Sequence, residues 1–143
     1  MLKKIFLLLA IVCMASSCKT NKSSGQYDSV ELANSVPNYV LFNYDSTKLD
    51  APAISSLNKQ ADWLKANTNI KVLIEGHCDE RGTREYNLAL GAKRASTVQD
   101  YLVGAGVAAD RIVTITYGKE RPFMQGTGEE VWAQNRRAIT AVN

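Results

Sequence analysis

The chain has 143 residues, 45% of them hydrophobic and 22% charged, which is apolar material for about one domain. Its 17 Lys plus Arg face 14 Asp plus Glu, a formal charge of +3. The two signs alternate along the chain instead of gathering on a basic face, which argues against a nucleic-acid or other polyanion binder.

The first residues read as a targeting segment. Lys3 and Lys4 give a positive start, "IFLLLAIVCMA" is an apolar run too short for a permanent membrane span, and the small residues of "ASSC" lead to Cys18. This predicts a signal peptide over residues 1–17. The placement of Cys18 resembles the lipobox of bacterial lipoproteins, with Ala15 where Leu is commoner. That resemblance implies that Cys18 is acylated and becomes the mature N-terminus, so the chain would be held to outer-membrane lipid. Cys13 then leaves with the signal and Cys78 remains alone, so no disulfide forms within one mature chain. Loss of Lys3 and Lys4 lowers the formal charge to +1.

Residues 18–36 follow as the lipidated N-terminus and a flexible tether, polar and rich in Ser and Asn. The eighteen residues after Cys18 reach about 25 Å as a coil and at most roughly 60 Å when stretched. Residues 37–143 form the predicted domain. "YVLFNY" (39–44) is a strand, and "DSTKLD" turns the chain. Asp50 caps a helix with Pro52 in its first turn, and Ile54, Leu57, Ala61 and Leu64 recur at helical spacing until "NTN". "IKVLIEG" (70–76) is the second strand. A second helix starts near Asn87, with Leu88, Ala92, Ala95, Val98 and Leu102 along one stripe, and ends at "GAG". "RIVTITYG" (111–118) is the third strand, "EEVWAQN" a short helical turn, and "RRAITAV" the fourth strand. The order β-α-β-α-β-β predicts an α+β fold, an α/β sandwich with two main helices on one face of a small mixed sheet.

The chemistry concentrates in "GHCDERGTREYN" (76–87). A Cys78 nucleophile with His77 as its base is disfavoured, because adjacent residues point apart on an extended backbone and no second histidine exists. A metal site is disfavoured as well: His77, Cys78, Asp79 and Glu80 are consecutive and lack the spacing that converges ligands on an ion. Charge of both signs at a strand end, facing a helix start, suits a zwitterion. A carboxylate holds its ammonium and an arginine fork its carboxylate. Asn87, Gly91 and Arg94 share a helix face, away from much of the apolar stripe. The competing reading is that Asp79 and Arg94 simply pair with each other. Arg81, Arg84, Glu80 and Glu85 read as solvated or loop-bracing charges, and His77 as a hydrogen-bonded wall residue. Arg136 and Arg137 read as ordering the last strand or the pocket rim, and Trp63 and Trp132 as packing.

"VLFNYDS", "IEGHCDERGTREYN", "LGAKRASTVQDYL", "YGKERP" and "NRRA" resemble, in order, the landmarks of OmpA-like peptidoglycan-binding domains. The likeness spans residues 37–143. It implies a non-catalytic domain without cofactor or metal that grips the diaminopimelate of the peptidoglycan stem peptide. Asp79 would take the ammonium and Arg94 the carboxylate. Asn87 and Leu90 would line the pocket, and Phe42, Tyr44 and Asp45 its opposite wall, with backbone amides near Asp45 and Ser46 as donors. The resemblance further implies an outer-membrane lipoprotein facing the periplasm, with a TolB-like propeller and other proteins of a Tol-Pal-like envelope system as partners. The chain departs from the family pattern at Tyr44, where Phe is usual, at Cys78, where Ala or Thr is usual, and at Arg84, where Pro is frequent.

Overall fold

The computed structural model describes residues 31–143, so the expected signal, Cys18 and the tether up to residue 30 lie outside it. Residues 31–35 are helical (α1). There follow β1 (Tyr39–Leu41), α2 (Ala51–Ala66), β2 (Val72–His77), α3 (Arg84–Gly104), a 3-10 turn (Ala109–Arg111), β3 (Ile112–Gly118), α4 (Glu129–Asn135) and β4 (Arg137–Val142). The sheet runs β1-β4-β2-β3. β4 is antiparallel to both of its neighbours, and β2 pairs in parallel with β3. Parallel neighbours need a crossover, and α3 supplies it. The buried faces of α2 and α3 meet Val40, Val72, Ile74 and Ala138 in one core. The fold is therefore the expected α+β arrangement, with two main helices on a small mixed sheet.

Several boundaries move. The folded unit begins before residue 37: Leu32 is wholly buried and accepts the amide of Val36 at 3.0 Å, because an apolar side chain beside the core gains more from burial than from solvent. β1 stops at Leu41, three residues short of Tyr44. The chain bends there into a turn in which the Ser46 amide bonds the Asn43 carbonyl at 3.2 Å and Asp45 takes φ 49°, a left-handed conformation that Asp tolerates.

Asp50 caps α2, accepting from the Ala53 amide at 2.9 Å, and Pro52 sits in the first turn. The apolar face is Ala53, Leu57, Ala61 and Leu64. Ile54, expected there, lies off it and is 38% exposed. The buried polar residue on that face is Gln60, satisfied by the Pro37 carbonyl at 2.8 Å and the Thr140 hydroxyl at 2.7 Å.

α3 begins at Arg84, three residues before the expected Asn87, because Thr83 is the cap: its hydroxyl accepts from the Tyr86 amide at 3.1 Å. Its buried stripe is Asn87, Gly91, Arg94, Ala95, Val98 and Leu102. The polar trio thus continues the core stripe instead of standing apart from it, and Ala92 is exposed. Two glycines permit this approach. A Cβ on Gly76 would lie 1.8 Å from the Gly91 carbonyl oxygen, so the helix rests directly on the backbone of β2. The N-terminal end of α3 is thereby pressed against the loop that leaves β2.

Candidate functional site

Tyr44, Asp45, Asp79, Asn87, Leu90 and Arg94, all expected at the site, line one small cleft of about 50 Å³ together with Cys78, Arg81, Gly82 and Tyr86. Phe42 and Ser46 do not line it. Phe42 is a core residue, 3% exposed, because the alternation along β1 turns its ring inward with Val40. The amide of Ser46 is bound to the Asn43 carbonyl, and its own carbonyl accepts from Arg94 at 3.0 Å, so it serves as a brace behind the cleft and not as a donor into it.

At one end stands Asp79, 4% exposed. Its Oδ1 accepts from the Arg81 amide at 3.0 Å and from Arg81 Nε at 3.2 Å. Its Oδ2 accepts from Arg81 Nη2 at 2.7 Å and from Arg136 Nη1 at 3.4 Å. A carboxylate offers about four acceptor directions, and all are taken. Burial opposes the charge on Asp79, but the hydrogen bonds and charge of Arg81 outweigh it and hold the carboxyl below its usual range. Of the two expectations for Arg81, the bracing one fits: its side chain is 29% exposed, but its guanidinium is bonded to Asp79 and lies 4.0 Å from the ring centroids of both Tyr44 and Trp132. Trp132 does not line the cleft but backs Arg81, and its indole also donates to Glu80 at 2.9 Å. Arg136 reaches Glu129 at 2.5 Å and the Phe42 carbonyl at 2.8 Å, tying α4 and β1 to Asp79.

At the other end lies Arg94, with no exposed surface. It donates to the carbonyls of Ser46 (Nε, 3.0 Å), His77 (Nη1, 2.9 Å) and Asn43 (Nη2, 3.2 Å), and its guanidinium carbon is 5.2 Å from the Phe42 ring centroid. All three bonded partners are neutral. Asp79 is bonded to Arg81 and Arg136, so the alternative of a direct Asp79–Arg94 pair does not hold. Burial disfavours the cation and lowers its pKa. A guanidinium buried among carbonyls without a bonded counter-ion favours an incoming anion.

The loop between the two is braced. Asn87 Nδ2 donates to the carbonyls of Arg81 at 2.8 Å and Thr83 at 3.0 Å, and Lys119 Nζ to Gly82 at 2.6 Å. Glu80 accepts from Thr127 at 2.8 Å as well as from Trp132. Tyr86 donates its hydroxyl to Asp45 across the mouth of the cleft. Cys78 is buried and directs its thiol to the Asn87 carbonyl at 3.3 Å. Burial raises its pKa, which keeps it a thiol and not a nucleophile. His77 Nε2 lies 3.4 Å from Glu75 Oε2, and its ring packs near Tyr117 rather than in the cleft. Among the described residues no His, Cys, Asp and Glu side chains group as a metal site.

Sequence reasoning missed Tyr86 in the lining and the support that Trp132 and Glu129 give to Arg81 and Arg136 from behind it, and it left Arg81 between solvated and loop-bracing. An aromatic at the third position after the Thr83 cap was a local signal for Tyr86. Trp132 and Glu129 carried none, being brought in by tertiary packing.

A profile of the OmpA family matches residues 41–136. The chain belongs to the OmpA family. Within it the chain is 52% identical over 103 residues to the peptidoglycan-associated lipoprotein of Rhizobium meliloti, covering 72% of this chain and 58% of that protein. To the peptidoglycan-associated lipoprotein of Brucella melitensis it is 39% identical over 149 residues, covering 97% and 89%. The chain thus spans 58% of the length of the Rhizobium relative and 62% of a Mesorhizobium japonicum one. The crystal structure of the peptidoglycan-associated lipoprotein from Burkholderia pseudomallei superposes with a TM-score of 0.72 at 40% identity, covering 74% of this chain and 90% of that one. The C-terminal domain of Helicobacter pylori MotB, at 18% identity and a TM-score of 0.66, shares the fold alone. The relatives are named for association with peptidoglycan rather than for a reaction, in agreement with a non-catalytic OmpA-family domain. No described helix is long and apolar enough to cross a membrane.

Proposed function

We propose that this domain binds peptidoglycan without covalent linkage by gripping the diaminopimelate of the stem peptide. The observation that carries this reading is the buried Arg94, a cation bonded only to neutral carbonyls, in the same cleft as the carboxylate of Asp79. A zwitterionic amino-acid centre matches that polarity: its carboxylate neutralises Arg94 and its ammonium meets Asp79. Because the acceptor directions of Asp79 are filled, the ammonium replaces the Arg81 side chain there, which turns outward from between Tyr44 and Trp132. Leu90 and Asn87 bound the methylene chain.

Sedimentation of the protein with purified sacculi tests this. Free meso-diaminopimelate should release it and lysine, which lacks the second amino-acid centre, should not. Equal competition by both would defeat the assignment, and release of soluble muropeptides would support a cell-wall hydrolase instead.

The protein that carries this domain is, on the same proposal, an outer-membrane lipoprotein with its lipid on Cys18 in the inner leaflet and its domain in the periplasm, joining membrane to wall. Cys18→Ser should shift it from the membrane to the soluble fraction once wall binding is competed away. Retention in the membrane would exclude the lipid anchor. Partnership with a TolB-like propeller and other members of a Tol-Pal-like system rests on the family relationship, and no contact residues are assigned to it.

A further inference from the structure

The helices cover one face of the sheet and leave the other to be explained. Val40 and Ala138 point into the core, so their strand neighbours Tyr39, Leu41, Arg137 and Ile139 point to the opposite face. A partly open cavity of about 290 Å³ lies there, lined by those four residues together with Asn38, Gln134 and Phe123. Phe123 is 68% exposed and Tyr39 48%, so aromatic surface stands open around it.

Arg137 is the charged residue in this lining, and it is only 7% exposed. Its bonded partners are the carbonyls of Asn135 at 3.3 Å and Arg121 at 3.2 Å, and its Nε has no partner. The wall is thus mostly apolar, with Asn38 and Gln134 at its polar points and one buried cation that feels the charge of Glu75 but keeps an unbonded Nε. That combination selects an apolar body carrying an anionic group.

Among the described residues the backbone beside the cavity is also unpaired. β1 is an edge strand, last in the sheet order. The Asn38 carbonyl accepts from the Thr140 amide at 2.7 Å, the Phe42 amide donates to the Arg136 carbonyl at 2.9 Å, and Val40 faces Ala138 between them. In an antiparallel ladder the hydrogen-bonded residues alternate, so the amides and carbonyls of Tyr39 and Leu41 point outward from the sheet. The two residues whose side chains line the cavity are those whose main chain is offered at the edge.

We propose that the β1 edge and this cavity form a docking site for an extended peptide of a partner protein. The peptide pairs with Tyr39 and Leu41, sets an apolar side chain against Tyr39, Ile139 and Phe123, and directs a carboxylate two residues along, on the same face, to Arg137. A second copy of this chain fits less well, because β1 reads YVL and brings no acid to Arg137 when two edges pair.

The probe is a blocked, fluorescein-labelled peptide, Thr-Phe-Thr-Glu-Thr, titrated against the full-length protein in detergent micelles. It should bind with a dissociation constant of about 0.1 to 1 mM, and about tenfold more weakly when glutamine replaces its glutamate or serine its phenylalanine. Hydrogen exchange over residues 38–42 should slow on binding. Phe123→Ser should weaken binding several-fold, because it removes both the apolar wall and the ring that lies 5.7 Å from the Arg137 guanidinium carbon, while Arg137→Gln should remove the preference for glutamate over glutamine. Sacculus binding should persist in the Phe123 variant. No binding, or equal binding of the glutamine peptide, overturns the proposal. Protection of residues 38–42 that grows with protein concentration in the absence of peptide overturns it in favour of a second copy.

Discussion

The two ends of the cleft hold charge in opposite ways. Asp79 is an anion with more cation than it needs, gripped by Arg81 and touched by Arg136. Arg94 is a cation bonded to three carbonyls and to no acid. One end is electrically closed by its own chain, and the other is held open by backbone dipoles that fix the guanidinium without neutralising it. On the proposed binding mode, a ligand's carboxylate would meet a cation that lacks a bonded acid, whereas its ammonium would have to displace a side chain. Selectivity would then reside at Arg94, and the net gain at Asp79 would be the difference between two cations.

The strongest way to break the comparison is Arg94→Ala. It leaves the carbonyls of Ser46, His77 and Asn43 without their donor in a buried place, so the variant should lose about 3 to 5 kcal/mol of stability as well as wall binding. Arg94 is thus expected to be structural and ligand-binding at once. Denaturant unfolding measures the first effect. An unchanged midpoint would mean that those carbonyls find other partners and that Arg94 is free to serve the ligand alone.

Asp79→Asn keeps the shape and removes the charge. Sacculus binding should weaken by on the order of 2 to 4 kcal/mol, as for one side of a desolvated charge pair. Arg81→Ala sharpens the comparison further. A solvated neighbour would be a neutral control, but a side chain that occupies Asp79 is a competitor, and its loss should tighten diaminopimelate binding by about three- to tenfold, roughly 1 kcal/mol. Calorimetry on the two variants decides: weaker binding in Arg81→Ala would place Arg81 among the groups that hold the ligand.

Much of the fold was legible because its signals are local. Asp50 with Pro52 marks a helix start, the spacing of Leu57, Ala61 and Leu64 marks its face, and "KVLIEG" and "RRAITAV" read as strands. The start of α3 was hidden because Thr83 stands inside a charged run that reads as loop. The cleft was legible in two charged residues of its lining, Asp79 and Arg94, which lie fifteen positions apart on a strand end and the helix that follows. Its wiring was not. Asp79 meets Arg136 across 57 positions and Glu80 meets Trp132 across 52, and no local pattern encodes such contacts. Phe42 and Tyr44 look interchangeable as aromatic neighbours in sequence. Only the end of β1 at Leu41 and the turn after it send one into the core and the other to the cleft.

The smallest expected effect concerns His77, one residue from the thiol yet facing away from the cleft. Burial, and then the charge of Arg137, lowers its pKa to about 4 from an ordinary 6.5. Between those values the unfolded chain binds a proton that the folded chain refuses, so the contribution of neutral His77 is whole above about pH 6.5 and is lost as pH falls toward 4. The slope from this group is at most about 1.4 kcal/mol per pH unit. The lowered pKa of Asp79 acts in the same direction but below its ordinary 3.8, so the two windows separate. Unfolding free energies of the protein and of His77→Gln, measured between pH 7 and 4, should show the slope in the first and a flatter line in the second. Wall binding at pH 7 should be nearly equal, because the imidazole is neutral there and does not line the cleft. Parallel slopes would mean that another group carries the acid sensitivity and that His77 is accommodated at both ends of the window.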